Sequence, residues 1–169
     1  LRRTEGGRNM KIGIIVHSFT GNTLLVAQKL QEALRAAGHT AEVERVVVKD
    51  ENPNQSGHVT LENAPDPSGY DFVFFGAPVR GFSLTPGMTG YLTGLGALTG
   101  KPAACFVTKQ LPYMWTGGTR ALKQMTALVS GHGGKVLATG AVVWSGKERE
   151  RRIDRTVAEL CAAAAGETV

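Results

Sequence analysis

The sequence predicts an α/β fold, a three-layer domain in which a five-stranded parallel sheet lies between two layers of helices. The first observation is that five short apolar segments alternate with longer segments whose apolar residues recur at helical spacing. The second is that parallel strands need crossover helices, whose right-handed sense covers both faces of the sheet in a doubly wound arrangement. The third is the length of 169 residues, which suits one domain with its own packed core.

The N-terminal part of the chain predicts two strands and a helix, followed by a long connection. Residues 11–16 (KIGIIV) are a short apolar run, as expected for a buried strand. A helix is predicted over residues 23–37, ended by Gly38, because glycine readily adopts the left-handed conformation common after helices. Residues 41–48 predict the second strand, whereas residues 50–69 are rich in Pro, Asn and Ser and are predicted to be mostly loop.

The middle of the chain predicts two buried strands on either side of a glycine-rich segment. The strands are residues 71–75 (DFVFF) and 103–108 (AACFVT). Residues 86–98 predict a helix that its glycines weaken. Residues 94–100 have the glycine spacing of a dinucleotide fingerprint, but they neither follow a strand nor open a helix. A helix end and a turn are therefore expected there.

The C-terminal part predicts a helix, a strand and a second helix. Residues 119–129 place several apolar side chains on one helical face, and residues 135–144 predict the fifth strand. Ser145 and Glu148 have the spacing of a capping box, which predicts the start of the last helix. The inward face of this last helix is predicted to consist of Ile153, Val157, Leu160, Cys161 and Ala164.

Composition and charge argue against several classes of protein. No apolar run approaches the roughly 20 residues of a membrane-spanning helix. The two cysteines cannot form a disulfide framework, and the four histidines lack metal-binding spacing, so a cytoplasmic protein without a metal is expected. The net charge of +5 is not arranged as a basic stripe with aromatic residues, which argues against nucleic-acid binding. Residues 1–9 are interpreted as a tag or disordered extension, and residues 10–169 as the domain.

Three loops are predicted at the carboxyl ends of the strands, where such sheets bind ligands: residues 17–23, 76–82 and 109–118. The first loop (HSFTGNT) offers hydroxyls, an amide and a glycine at a helix start, with no Lys or Arg. This pattern favours a phosphate monoester held by neutral donors, although a plain N-cap is the alternative. The glycines of the second loop (GAPVRGF) would let the backbone approach a flat ligand, or form an ordinary turn. The aromatic residues of the third loop (KQLPYMWTGG) favour contact with a ligand or partner.

These loops resemble those of flavodoxins and flavodoxin-like proteins. Residues 18–23 (SFTGNT) match the Ser/Thr-x-Thr-Gly-x-Thr phosphate loop of that family, residues 76–79 (GAPV) resemble its second flavin loop, and residues 108–118 fall where the third belongs. The resemblance covers residues 10–165. It implies the short-chain flavodoxin-like fold, with strand order 2-1-3-4-5 and FMN bound at the three loops. The cofactor-binding residues that it implies are Ser18, Phe19, Thr20, Gly21, Asn22, Thr23, Pro78, Val79, Arg80, Gly81, Phe82, Lys109, Gln110, Leu111, Trp115, Gly117 and Gly118.

The implied function is non-covalent FMN binding with electron transfer through the flavin. The alternatives are an NAD(P)H-dependent flavin or quinone reductase, and a non-redox domain that has lost the flavin. A carrier would take up electrons singly, whereas a reductase would turn over with NAD(P)H. The expected partner is correspondingly an acidic redox protein or NAD(P)H, and the oligomeric state stays open. The basic residues that would dock an acidic protein, or form only a solvated helix face, are Lys147, Arg149, Arg151, Arg152 and Arg155.

Several single residues carry further expectations. A cation near the flavin, from Arg80 or Lys109, would stabilise the reduced anionic flavin and raise its potential. The resemblance implies that Gly81 permits a peptide flip toward flavin N5. His17 adjoins the phosphate loop and is expected to be structural. Cys105 and Cys161 are predicted to be core residues.

Overall fold

Helices and strands alternate along the chain in the computed structural model, which describes residues 9–52 and 54–166. Within these residues the strands are β1 (Lys11–Val16), β2 (Thr40–Arg45), β3 (Val47–Val48), β4 (Leu61–Asn63), β5 (Phe72–Arg80), β6 (Ser83–Leu84), β7 (Pro102–Lys109) and β8 (Lys135–Val143). The helices are α1 (Asn22–Ala36), α2 (Pro86–Thr93), α3 (Gly118–Gly131) and α4 (Arg149–Ala164), with short 3-10 turns at Pro67–Gly69 and Met114–Thr116. Of the predicted extension, residues 1–8 lie outside the described residues.

Five strands form the central sheet in the order β2-β1-β5-β7-β8, and each neighbouring pair is parallel. Counted along the predicted strands this order is 2-1-3-4-5, so the predicted doubly wound sheet is confirmed. The chain order reverses between β1 and β5, which is the position where open α/β sheets bind ligands. The segments that follow β1, β5 and β7 leave the sheet at this one edge.

Two apolar clusters, one on each face of the sheet, hold the three layers together. Helices α1 and α4 pack on one face, and α2 and α3 pack on the other. Because successive residues of a strand point to opposite faces, Phe72 and Phe74 join the first cluster while Val73 and Phe75 join the second. The unbroken apolar run in β5 is therefore buried on both sides.

The predicted second strand, residues 41–48, is divided in two. Strand β2 ends at Arg45 because its partner β1 ends at Val16, and the N–H of Val46 donates to the Val16 carbonyl at 2.8 Å. Strand β3 then leaves the sheet and pairs antiparallel with β4. The prediction that residues 50–69 are mostly loop missed β4 and the first 3-10 turn, because this pairing is not local.

The predicted second loop, residues 76–82, is largely strand. Strand β5 continues through Arg80 because it pairs with β7 as far as Pro78 and then with the short antiparallel β6. Gly76 lies inside this strand, and a Cβ there would meet the Phe106 ring at 2.2 Å. This glycine therefore makes room for a core ring rather than for a ligand.

Two predicted helix boundaries also differ from the structure. Helix α2 ends at Thr93 with Gly94 as its C-cap, so residues 94–100 form the expected helix end and turn, and the predicted helix over 86–98 is too long. The predicted capping box is wrong, because α4 begins at Arg149 and no side-chain hydrogen bond caps it. Instead, the guanidinium of Arg152 donates to the Ser145 carbonyl at 2.6 Å, so a residue inside the helix organises the preceding turn.

The two cysteines differ in burial. Cys105 lies in β7 and is fully buried, as predicted, and burial raises the pKa of its thiol to about 12. Cys161 lies on α4 and is only partly buried, packed against the edge of the first apolar cluster. Neither forms a disulfide bond.

Candidate functional site

The first loop, residues 17–23, joins the end of β1 to the start of α1 and is tied to the sheet through its backbone. The His17 N–H donates to the Gly76 carbonyl at 3.0 Å, and the Ser18 hydroxyl accepts from the Leu24 N–H at 3.3 Å. Gly21 is the N-cap of α1 with φ 93°, and it has no side chain to cap the helix. The N–H groups of a first helical turn lack acceptors within the helix, and no acidic residue occupies this turn. The start of α1 is therefore suited to an anion.

A cavity of about 300 Å³ lies where the three loops meet. We call it the cofactor cavity, and its lining residues are Phe19, Thr20, Asn22, Pro78, Val79, Arg80, Thr108, Lys109 and Gln110. The hydroxyl of Thr108 hydrogen-bonds that of Thr23 at 2.7 Å, which joins the end of β7 to the start of α1. Every lining residue except Thr108 is one that the family resemblance implies. A threonine that ends an apolar strand is the signal that could have identified Thr108.

Arg80 connects the second loop to the first. Its guanidinium lies over the Phe19 ring, 4.0 Å from the ring centroid, in a cation–π contact. Both side chains line the cofactor cavity. The contact places a positive charge on the wall of the cofactor cavity. The predicted effect of Arg80 on the potential of a flavin requires a charge at such a position.

Lys109 organises the third loop from inside. Its ammonium is buried and donates to the carbonyls of Leu111 and Tyr113 and to the Thr116 hydroxyl, the last at 2.7 Å. Burial lowers the pKa of Lys109 from its ordinary 10.5. A single side chain at the end of β7 thus gathers three oxygens of the loop that follows it.

The third loop also packs against the second. Gly117 has φ 109°, and a Cβ there would lie 2.4 Å from the Phe82 Cα. The rings of Tyr113 and Trp115 stack at 5.9 Å with an interplanar angle of 12°. Trp115 is 79% exposed and Phe82 is 55% exposed, so these loops present aromatic surface at the rim, as the composition of the third loop predicts.

The remaining residues implied by the resemblance do not line the cofactor cavity. They shape its surroundings instead, as the start of α1, the turn after β5, the exposed part of the third loop and the start of α3. The segment that opens α1 contains Ser18, Gly21 and Thr23, and the turn after β5 contains Gly81 and Phe82. The exposed part of the third loop contains Leu111 and Trp115, and the start of α3 contains Gly117 and Gly118.

His17 is buried and contacts a side chain through each of its two ring nitrogens. Its ring is 1% exposed, with Nδ1 2.8 Å from the Thr85 hydroxyl and Nε2 2.6 Å from the Glu51 carboxylate. It lines a second cavity of about 420 Å³ and is absent from the lining of the cofactor cavity. Glu51 lies within a segment predicted to be loop, and no local pattern marks it as a partner of His17.

Among the described residues, no helix is long and apolar enough to cross a membrane, and no group of three or more His, Cys, Asp or Glu side chains could hold a metal ion.

Comparison with known proteins supports the fold. Flavodoxin 1 of Bacillus cereus, in its oxidised form, matches with a TM-score of 0.68 and 18% identity, covering 94% of this chain and 99% of that chain. A flavoprotein of Lactobacillus acidophilus, solved in complex with FMN, matches with a TM-score of 0.59 and 15% identity, covering 87% and 98%. The predicted flavodoxin-like fold is thereby confirmed.

Sequence comparison adds one curated relative. An NAD(P)H quinone oxidoreductase of Candida albicans is 25% identical over an alignment that covers 78% of this chain and 58% of that protein. The chain thus spans less than two thirds of the length of this relative. No protein-family model matches the sequence.

Proposed function

We propose that this chain binds FMN non-covalently and transfers electrons through it. The observation that carries the proposal is the first loop, where neutral donors at the start of α1 open onto a cavity shared with the ends of β5 and β7. Flavodoxins have the same fold, and one similar structure is described as an FMN complex. FMN matches the chemistry of the site, because it combines an anionic phosphate with a flat ring.

The residues divide into two groups according to the part of FMN that they would hold. The phosphate would be bound by Ser18, Thr20, Gly21, Asn22 and Thr23 through hydroxyls, an amide and the N–H groups of the first helical turn. The ring would lie against residues 78–82 and 109–118. The hydrogen bonds from Lys109 to the carbonyls of Leu111 and Tyr113 would keep the third loop in place. When bound, the flavin supplies the capacity to accept and donate one or two electrons.

Arg80 would tune this chemistry through its charge. Its contact with Phe19 places the guanidinium on the wall of the cofactor cavity, where it would favour a negatively charged reduced ring. Arg80→Gln is therefore expected to lower the midpoint potential of the bound flavin in a redox titration. An unchanged potential would show that the guanidinium does not act on the ring.

A second candidate function is that of an NAD(P)H-dependent reductase. Two observations favour it, the quinone oxidoreductase of Candida albicans and the exposed aromatic residues at the rim, which could cover a small substrate. A carrier that docks an acidic protein would instead use the basic residues of α4. In either case we propose a cytoplasmic protein, because two cysteines are too few for a disulfide framework. Residues 10–169 are proposed to form one domain.

The test is a titration of the purified protein with FMN, followed by visible absorption, with riboflavin as the control ligand. Tight binding of FMN with a perturbed spectrum is expected, and riboflavin should bind more weakly because it lacks the phosphate. Stepwise anaerobic reduction then separates the two functions, since a carrier takes up electrons singly and a reductase is reduced directly by NAD(P)H. If neither flavin perturbs the spectrum, the domain does not use FMN and a non-redox role replaces this proposal.

A further inference from the structure

The charges of the chain are divided unevenly along the sequence. Residues 72–147 contain seven Lys and Arg but no Asp or Glu, so all 14 acidic residues lie outside this segment. The segment forms α2, α3 and three of the five strands of the central sheet. Strands β6, β7 and β8 and helix α2 pack against α3, and none of these elements carries a carboxylate. The α3 side of the molecule is therefore positively charged.

The start of α3 combines this charge with exposed aromatic surface. Arg120 and Lys123 are exposed and lie one helical turn apart, and neither forms an ion pair with any residue that the structure describes. Among the described residues six large apolar side chains are exposed, and four of them lie in the second and third loops, which adjoin the start of α3. We call the resulting surface the aromatic–basic face, and its residues are Phe82, Leu111, Tyr113, Trp115, Arg120 and Lys123.

The aromatic part of this face is held in place by the loop beneath it. The rings of Tyr113 and Trp115 stack on each other, and the buried ammonium of Lys109 donates to the Tyr113 carbonyl. Gly117 packs directly against the Phe82 backbone. Side chains that are already ordered lose less conformational freedom on binding, and Trp, Tyr and Arg contribute most at protein interfaces. The aromatic–basic face thus has the composition and the order of a protein-docking surface.

Helix α4, the other basic element, is largely neutralised by its own carboxylates. Arg151 pairs with Glu148 at 3.4 Å, and Arg155 pairs with Glu159 at 3.9 Å. The guanidinium of Arg152 donates to two backbone carbonyls at the end of β8 and in the turn that follows. Interleaved carboxylates weaken the attraction of a helix for an acidic partner. The α3 side therefore suits such a partner better than α4 does.

An open groove extends the aromatic–basic face along α3. Its volume is about 430 Å³, and its lining residues are Thr119, Leu122, Lys123, Thr126, Ala127 and Thr139. Lys123 is the one charged side chain among these described lining residues. Nucleic acids require cations placed along a phosphate backbone. An apolar surface with two cations at its margin matches a protein patch instead, and transient redox complexes bury less than about 1,200 Å² in total.

From these observations we propose that the aromatic–basic face docks an acidic protein. An apolar patch of that protein would contact Tyr113 and Trp115, and carboxylates around the patch would pair with Arg120 and Lys123. The proposal rests on the proposed function for the purpose of docking, because the third loop begins at the cofactor cavity and would bring a redox protein beside the flavin. The binding itself needs no flavin.

Isothermal titration with succinylated cytochrome c, whose modified lysines give it an acidic surface, tests the proposal. Unmodified cytochrome c, which is basic, is the matched control. At low ionic strength the succinylated form is expected to bind at one site at least about tenfold more tightly than the unmodified form. This preference should be lost at about 1 M salt, where charges are screened beyond about 3 Å. Titrations with and without saturating FMN should give the same affinity.

Two double variants with the same change in charge identify the basic residues responsible. Arg120→Gln with Lys123→Gln removes two charges from α3, and Arg151→Gln with Arg155→Gln removes two from α4. The α3 variant should weaken binding of the succinylated probe by about tenfold, because its charges face the partner. The α4 variant should weaken binding by less than about twofold, because its arginines are already paired.

A second pair of variants tests the aromatic part of the face. Trp115→Ala should weaken binding by about tenfold, as expected for a tryptophan at the centre of an interface. Leu25→Ala also shortens an exposed apolar side chain, but it lies on α1 at the opposite face of the sheet and should leave the affinity unchanged. All the substituted side chains are exposed, so circular dichroism should show an unchanged fold in every variant.

Five results would overturn the proposal. They are no preference for the succinylated probe, a loss in the α4 variant as large as that in the α3 variant, full affinity in Trp115→Ala, displacement of the probe by FMN, and tighter binding of single-stranded oligothymidylate than of the probe. Displacement by FMN would place the probe at the cofactor cavity, and the last result would assign the face to nucleic acid. None of them bears on whether FMN binds, so the two proposals fail separately.

Discussion

The first and third loops face the same cofactor cavity but are held in place in different ways. The first loop takes its shape largely from neighbours in sequence, through the Ser18–Leu24 hydrogen bond and the N-cap Gly21, and the Thr23–Thr108 hydrogen bond joins it to β7. The third loop depends on the buried ammonium of Lys109 and on the packing of Gly117 against Phe82 from another loop. A motif that organises itself locally can be recognised in a sequence, whereas a loop organised by a buried charge and a distant backbone cannot.

The largest expected effect comes from paired glycine substitutions that separate these two kinds of support. Gly117→Ala combines a positive φ with a clash against the Phe82 backbone, so a loss of about 3 kcal/mol or more in the free energy of unfolding is expected. Gly21→Ala has a similar φ but open space around it, so only about 1 kcal/mol of strain is expected. Urea unfolding measures both. Equal losses would mean that the contact between the second and third loops contributes nothing.

The donors of the first loop should control affinity for FMN. Thr20→Ala combined with Thr23→Ala is expected to cost about 3 kcal/mol, roughly a hundredfold in Kd, because hydrogen bonds to a charged phosphate are lost. Flavin fluorescence measures the Kd, with the exposed Thr60→Ala as the control. Thr20 lines the cavity and Thr23 does not, so Thr20→Ala alone should account for most of the loss. A Kd within twofold of wild type would reject the phosphate assignment.

Lys109→Met tests the internal support of the third loop. Methionine keeps the apolar stem of the side chain but removes three donated hydrogen bonds, so stability should fall by about 2 kcal/mol. Limited proteolysis should then cut within residues 110–116. The exposed Lys123→Met is the matched control, with an expected change within about 0.5 kcal/mol. If the two variants behave alike, the ammonium does not hold the loop.

The smallest expected effect is a difference in pH response between the two loops. Within the first loop, residues 18–23 contain no ionisable side chain, and His17 does not line the cofactor cavity. In the third loop, burial lowers the pKa of Lys109 from 10.5. The folded chain thus releases this proton at a lower pH than the unfolded chain. The contribution of Lys109 to the free energy of unfolding therefore rises as pH increases between its lowered pKa and 10.5. NMR titration of the Lys109 side chain should show it losing its proton below pH 10.5, and titration at or above that pH would contradict the prediction.

Local chemistry determined most of the fold. Apolar runs such as residues 11–16 and 103–108 must be buried on both faces, and such strands separated by helices form a doubly wound sheet. The first loop belongs with these features, because its donors are adjacent in sequence and its place after β1 follows from the fold. Its residues could therefore be identified before any coordinates were known.

Tertiary pairing decided the rest, because the partners are distant in sequence. The extent of β5 depends on β7 and β6, and Gly76 is required by the Phe106 ring. The Glu51–His17 pair belongs to this class as well, since its two residues are 34 positions apart and meet only when the segment after β3 folds over the first loop. Burial strengthens such contacts because it excludes water. The local sequence pattern indicates neither the burial of these residues nor their partners.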